Sequence, residues 1–203
     1  MARFACTPHR LILFTLVCAV LHAAGAGVPP QTKAWDNTDE AFAEFAAEVD
    51  VSQLRNLLSR KGVQLHDGSG VDNMSLLVDG LAGVRGGDGR VGIHGQPAVV
   101  TCYLGKATPV YRVGFYTFNI DARANQDYDV RFADNSANPG AKPEFAKVAD
   151  LSVGDAVIGP DRGGFHSWFE REDGQPLTAR ADWVQFRIWR TYNLKAGHRA
   201  HSN

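Results

Sequence analysis

With 203 residues and 21 Lys/Arg against 22 Asp/Glu, the chain has room for one ordinary domain plus an appendage. Its formal charge of −1 lacks the broad basic excess that nucleic acid or an anionic membrane surface attracts. Three cysteines, two of them before residue 19, exclude a fold built on disulfides.

Residues 1–26 read as a secretory signal peptide. Arg3 and Arg10 supply the positive start, Leu11 to Leu21 the apolar run, and Ala24-Gly25-Ala26 a small-residue cleavage site. The run is short for a bilayer span and no second one follows, so the expectation is a secreted, periplasmic or cell-surface protein without a transmembrane segment after cleavage. Cys6 and Cys18 would leave with the signal. Cys102 then stands alone, alternating with Val100 and Leu104 as a small buried residue of a strand.

The N-terminal segment, 27–70, begins with a loose Pro-containing lead-in from Val28 to Trp35. A helical pattern follows from Asn37 to Arg60. Asn37 with Glu40 resembles an N-cap pair, and Asp50 with Gln53 repeats it. Phe42, Phe45 and Val49 share one face of a first helix, and Leu54, Leu57 and Leu58 one face of a second. Gly62 is suited to end it. Residues 64–96 are rich in Gly and Asp. Gly87-Asp88-Gly89-Arg90-Val91-Gly92 fits the GxGxxG string, but a turn and a strand follow it where a dinucleotide site needs a helix. Asn73-Met74-Ser75 is a glycosylation sequon in a eukaryotic secretory pathway.

Pro97 to Asp134 holds three runs rich in Val, Tyr, Phe and Thr, read as strands of an antiparallel sheet. In the third, Tyr128, Val130 and Phe132 point one way, and Asp127, Asp129 and Arg131 the other. A long connection leads to the strand around FHSWFE and, after EDGQPLTA, to ADWVQFRIWRTY. There Val184, Phe186 and Ile188 alternate with Trp183, Gln185, Arg187 and Trp189, which predicts a central strand covered by another layer. The tail, 195–203, has no apolar period and is expected to fray. His198 and His201 in it have no other ligand set beside them. Many short strands without crossover helices predict a mainly β fold, an antiparallel sandwich rather than a parallel α/β sheet.

The order of these elements resembles a discoidin domain, the coagulation-factor C-type module of the galactose-binding-like superfamily, over a predicted domain at 71–194. Leu77-Val78-Asp79-Gly80 is similar to its opening Asp-Gly, and Val99 to Lys106 to its apolar strand ending in Leu-Gly. Pro109 to Val113 is similar to its next strand, Tyr128 to Asp134 to its Tyr-x-Val strand, and Asp182 to Ile188 to its closing strand. The usual Trp before Leu-Gly is absent, and so is the terminal cysteine pair of animal members. The resemblance implies a jelly-roll β-sandwich, carbohydrate binding or cell adhesion as function, and a structural calcium near Asp79. The residues themselves show no spaced D-x-D-x-D loop, and no other cofactor is expected.

Two stretches carry the residue types of a sugar site. Asp161, Arg162, Phe165, His166 and Trp168 combine aromatic faces with planar polar groups beside Gly163-Gly164. The same residues also suit a core strand with a turn ion pair. Asn119, Asp121 and Arg123 sit in a polar loop between two strands, where binding residues and ordinary turn formers both occur. No H-E-x-x-H or G-x-S-x-G is present, and Glu170, Glu172 and Asp173 read as a solvated acidic turn. The expected function is a non-catalytic, exported binding module for carbohydrate or a surface glycan. A protein-adhesion module with a protein partner and a small polysaccharide-active enzyme are the alternatives; nucleic acid is not an expected partner.

Overall fold

The computed structural model describes residues 28–49, 57–66, 68–77, 92–93, 97–118, 127–151, 162–189, 192–193 and 198–199. The signal-like residues 1–26, the second capping pair Asp50/Gln53, Asp79 and positions 87–91 of the GxGxxG string lie outside them. In chain order the elements are β1 (Gln31–Asp36), α1 (Asp39–Glu48), β2 (Gln64–His66), β3 (Val71–Asp72), β4 (Gly92–Ile93), β5 (Ala98–Val110), β6 (Arg112–Phe118), β7 (Asp127–Ala133), β8 (Ala146–Leu151), β9 (Arg162–Glu170), β10 (Thr178–Trp189), β11 (Tyr192–Asn193) and β12 (His198–Arg199). Short 3-10 turns occupy Leu57–Ser59 and Met74–Leu77. No helix among the described residues is long and apolar enough to cross a membrane.

The protein is an antiparallel β-sandwich. One sheet has five strands in the order β2-β5-β10-β7-β8, the other three in the order β1-β9-β6. Period-two alternation accounts for the layer between them. Val100, Cys102 and Leu104 of β5, Tyr128, Val130 and Phe132 of β7, and Val184, Phe186 and Ile188 of β10 turn inward. They meet Phe165 and Phe169 of β9. Burial pushes the Cys102 thiol up to about 12, which leaves it protonated and unreactive.

Three expectations need correction. First, the central runs do not form one sheet of neighbours. β10 inserts between β5 and β7, while β6 belongs to the opposite sheet. Alternation reports which face a residue occupies, and carries no information about which strand lies alongside. Second, the lead-in is a strand. β1 pairs with β9 from Gln31↔Trp168 to Asp36↔Arg162, since Pro29 and Pro30 end just before the ladder begins. Third, α1 is capped one residue later than expected. The Thr38 side chain accepts from the Ala41 amide at 3.1 Å, and its extended φ of −123° leaves Asp39 as the first helical residue.

Helix α1 lies on the outer face of the three-stranded sheet. Phe45 packs edge-on to Trp35, Tyr116 and Phe118, and Phe42 edge-on to Phe118. The second helical pattern reaches the described residues only as the turn Leu57–Ser59, and Leu57 and Leu58 pack against the core. Gly62 follows with φ of 96°, a conformation open to glycine at little cost. Of the tail 195–203, His198 and Arg199 are the described residues, and as β12 they pair with Asn193 and Tyr192 of β11.

One polar contact joins the two sheets through the core. The Tyr128 hydroxyl lies 2.9 Å from Ser167 Oγ and 3.3 Å from the Ser167 carbonyl, and both residues are fully buried. Desolvation holds the phenol far above its ordinary range, so it stays a donor. Tyr128→Phe removes that partner and is expected to cost about 1–3 kcal/mol. An unchanged urea midpoint would show that the bond contributes nothing.

Candidate functional site

Strand β9 sorts the first candidate stretch by parity. Phe165, Ser167 and Phe169 face the core, and Phe165 is only 1% exposed, so its ring offers no face to a surface ligand. His166 and Trp168 face outward. His166 stacks on Tyr116 with ring centroids 3.7 Å apart and on Trp168 at 4.5 Å. The Arg112 guanidinium lies over the Trp168 ring at 4.8 Å. In the β6–β9 register Arg112 sits opposite Glu170 and Tyr116 opposite His166. Arg112 and His166 therefore flank Trp168 on opposite sides along the strands, and its ring is half-buried.

His166 is 3% exposed, and its Nε2 has no hydrogen-bond partner among the described residues; neither has Trp35 Nε1. Burial, then the positive charges of Arg112 and Lys33, lower the imidazole to about 3. It is therefore neutral at ordinary pH.

The described part of this stretch, residues 162–169, is a strand whose side chains alternate between the core and the outer face. Arg162, described in its backbone alone, and Trp168 are six residues apart on an extended strand, about 20 Å. Asp161, Asn119, Asp121 and Arg123 lie outside the described residues. Topology nevertheless relates the two stretches. Phe118, the last described residue before 119–126, pairs with Gly164, so both stretches leave the three-stranded sheet at the same end. Trp168 lies at the other. Asp79, implied as a calcium ligand, is outside the described residues, and among those described no three His, Cys, Asp or Glu side chains converge.

A second surface lies on the outer face of the five-stranded sheet. The residues of β10 that alternate with its core positions, Trp183, Gln185, Arg187 and Trp189, are half-buried rather than covered. Trp183 packs beside His66 at 4.9 Å and Tyr103 at 5.0 Å. These three come from β10, β2 and β5, and Trp183 pairs directly with Tyr103. Gln185 Nε2 donates to Thr101 Oγ1 at 3.1 Å. Beyond it, Arg131 forks onto Asp129 through Nε at 3.1 Å and Nη2 at 3.3 Å, and Arg187 Nη1 approaches the same carboxylate at 3.7 Å. The Arg187 guanidinium also lies over the Trp189 ring at 5.1 Å. Aromatic faces and planar donors and acceptors are thus interleaved on a rigid central strand. The alternation of Trp183, Gln185, Arg187 and Trp189 was the signal for this face, but bulk on both sides suggests a covering layer. The contributions of His66, Tyr103 and Asp129 come from strands far apart in sequence.

No protein-family model matches the chain, and no curated protein does. Solved structures do align with it. A module of Clostridium perfringens designated CpGH89CBM32-6 aligns at 14% identity and a TM-score of 0.40, over 66% of this chain and 87% of its own. The family 32 carbohydrate-binding module of Clostridium perfringens NanJ, solved in complex with galactose, aligns at 13% identity and a TM-score of 0.37, over 63% and 80% of the two chains. The CBM32-1 and CBM32-2 domains of Clostridium perfringens ZmpB align at 11% identity and a TM-score of 0.39, over 78% and 37%. At such identity no residue of this chain takes its role from them.

Proposed function

We propose that this chain is an exported, non-catalytic carbohydrate-binding module that uses the outer face of its five-stranded sheet. The half-buried Trp183 ring, clustered with His66 and Tyr103, carries this reading. A pyranose has an apolar C–H side that prefers an aromatic face, and its hydroxyls need planar polar partners close by. On that face Gln185 is the next outward residue of β10 after Trp183, with Arg131 beside it, and Arg187 with Asp129 beside it follows further along the strand. The Arg131–Asp129 fork, the approach of Arg187 to the same carboxylate and the Gln185–Thr101 hydrogen bond hold these side chains in place before any ligand arrives, which lowers the ordering cost of binding. The loop end from which 119–126 and 152–161 depart is the proposed second contact, and it takes in Asn119, Asp121, Arg123, Asp161 and Arg162.

The test is a glycan array probed with the mature protein and two variants. Trp183→Ala is expected to weaken binding about tenfold or more, as loss of an aromatic contact of about 1.4 kcal/mol implies. Trp168→Ala, on the outer face of the other sheet, is expected to change it far less. The reverse ranking would move the site to the three-stranded sheet. Silence across the array would remove the carbohydrate reading, and release of sugar products from a polysaccharide would remove the non-catalytic one.

A further inference from the structure

We infer that the ligand of this face is an extended glycan chain lying along β10, rather than a single terminal sugar; the inference rests on the reading above. Trp183 and Trp189 are six residues apart on one strand, an even separation that puts both on the outer face. Six residues of extended strand span about 20 Å, far beyond the reach of one sugar ring. A monosaccharide can meet Trp183 or Trp189, never both.

The residues between the two rings are suited to a chain. Gln185 and Arg187 are the only outward positions of β10 there, and both are polar and planar. The register places Thr101 and Arg131 on either side of Gln185, and Val99 and Asp129 on either side of Arg187. Arg187 touches Asp129 and the Trp189 ring, so the polar middle is tied to the distal aromatic residue. Asp129 is only 4% exposed and is held by Arg131, whose side chain stays 26% exposed, so the pair presents its guanidinium rather than its carboxylate. Small or polar residues in the middle with rings at both ends form a floor for a linear chain. Its hydroxyls would meet Gln185 and Arg187 while its outer units stack on the tryptophans.

The experiment titrates gluco-, manno- and galacto-oligosaccharides, from the monosaccharide upward, into the wild type, Trp183→Ala, Trp189→Ala and Trp189→Phe. Circular dichroism confirms that each variant is folded. In one series, affinity is expected to rise with chain length until the chain spans the face, and then to level off. Trp189→Ala is expected to lower the affinity of long chains about tenfold and leave that of the short ones unchanged, with Trp189→Phe restoring most of it. Trp183→Ala lowers both. Equal affinity for monosaccharide and long chain, or a Trp189→Ala variant that binds long chains like the wild type, would overturn the extended-chain inference while sparing the carbohydrate reading. Failure of every sugar to bind would remove both.

Discussion

Phe169→Ala is expected to lose about 3–5 kcal/mol of folding stability, the cost of truncating a fully buried aromatic residue that its surroundings cannot refill. Phe169 is fully buried, on the strand of the three-stranded sheet flanked by both its partners, and turns toward the five-stranded one. It meets Tyr128 edge-on at 6.0 Å. Beside it Val113 is its register partner on β6. The cavity would open between two sheets whose backbones are fixed by their own ladders, so collapse around it is limited. A domain stable by about 5–15 kcal/mol would surrender a large share of that margin. Urea unfolding measures it: the midpoint falls with the slope unchanged. A loss below about 1 kcal/mol would mean that the interface repacks and that the core is softer than close packing implies.

Acid is expected to destabilise the protein through His166. Its folded value of about 3 lies below the ordinary value of 6.5. Between these the unfolded chain binds a proton that the folded chain refuses. The stability contributed by the neutral ring is therefore complete above the unfolded value and is lost as pH falls toward 3. The slope in that window approaches about 1.4 kcal/mol per pH unit. The charged groups involved are Arg112 on β6 and Lys33 on β1, the latter paired with Glu48 of α1. Tyr116 and Trp168 supply the rings that desolvate the imidazole. Carboxylates titrate in part of the same range, so the informative quantity is a difference. His166→Phe keeps a planar ring against Tyr116 and is expected to lose less stability than the wild type between pH 6.5 and 4. Parallel stability curves for the two proteins would show that His166 is not the sensor.

Much of the sandwich was legible because burial has a period. Val100, Cys102 and Leu104, then Tyr128, Val130 and Phe132, then Val184, Phe186 and Ile188 announce three strands with one face inward, and each of these residues is buried. Helix α1 was legible for a similar reason, since Phe42 and Phe45 mark its apolar side. The cap was misplaced by one residue because Asn37 and Thr38 both suit the role, and only the backbone angles choose between them. The lead-in was misread because β1 is short, follows two prolines and covers its single large residue, Trp35, with a helix rather than with the core.

The first candidate stretch suits either a sugar-binding patch or a core strand, and residues close in sequence need not share a face. As a strand it alternates its side chains. It sends Phe165 inward, turns His166 outward beneath two other rings, and carries Trp168 about 20 Å from Arg162. Composition identified the residue types of a sugar site but had no means of placing them.

The sequence by itself determined the class of fold, the inward positions of the main strands and the helix that follows the lead-in, because alternation and helical period are properties of neighbouring residues. Tertiary structure alone decided the strand order and the neighbours it creates. β10 lies between β5 and β7, so Trp183 meets Tyr103 and His66, and Arg187 meets Asp129. Those contacts join positions more than fifty residues apart in the chain. They depend on which strand edges pair, a choice made by the summed packing of two sheets and written in no single stretch of residues.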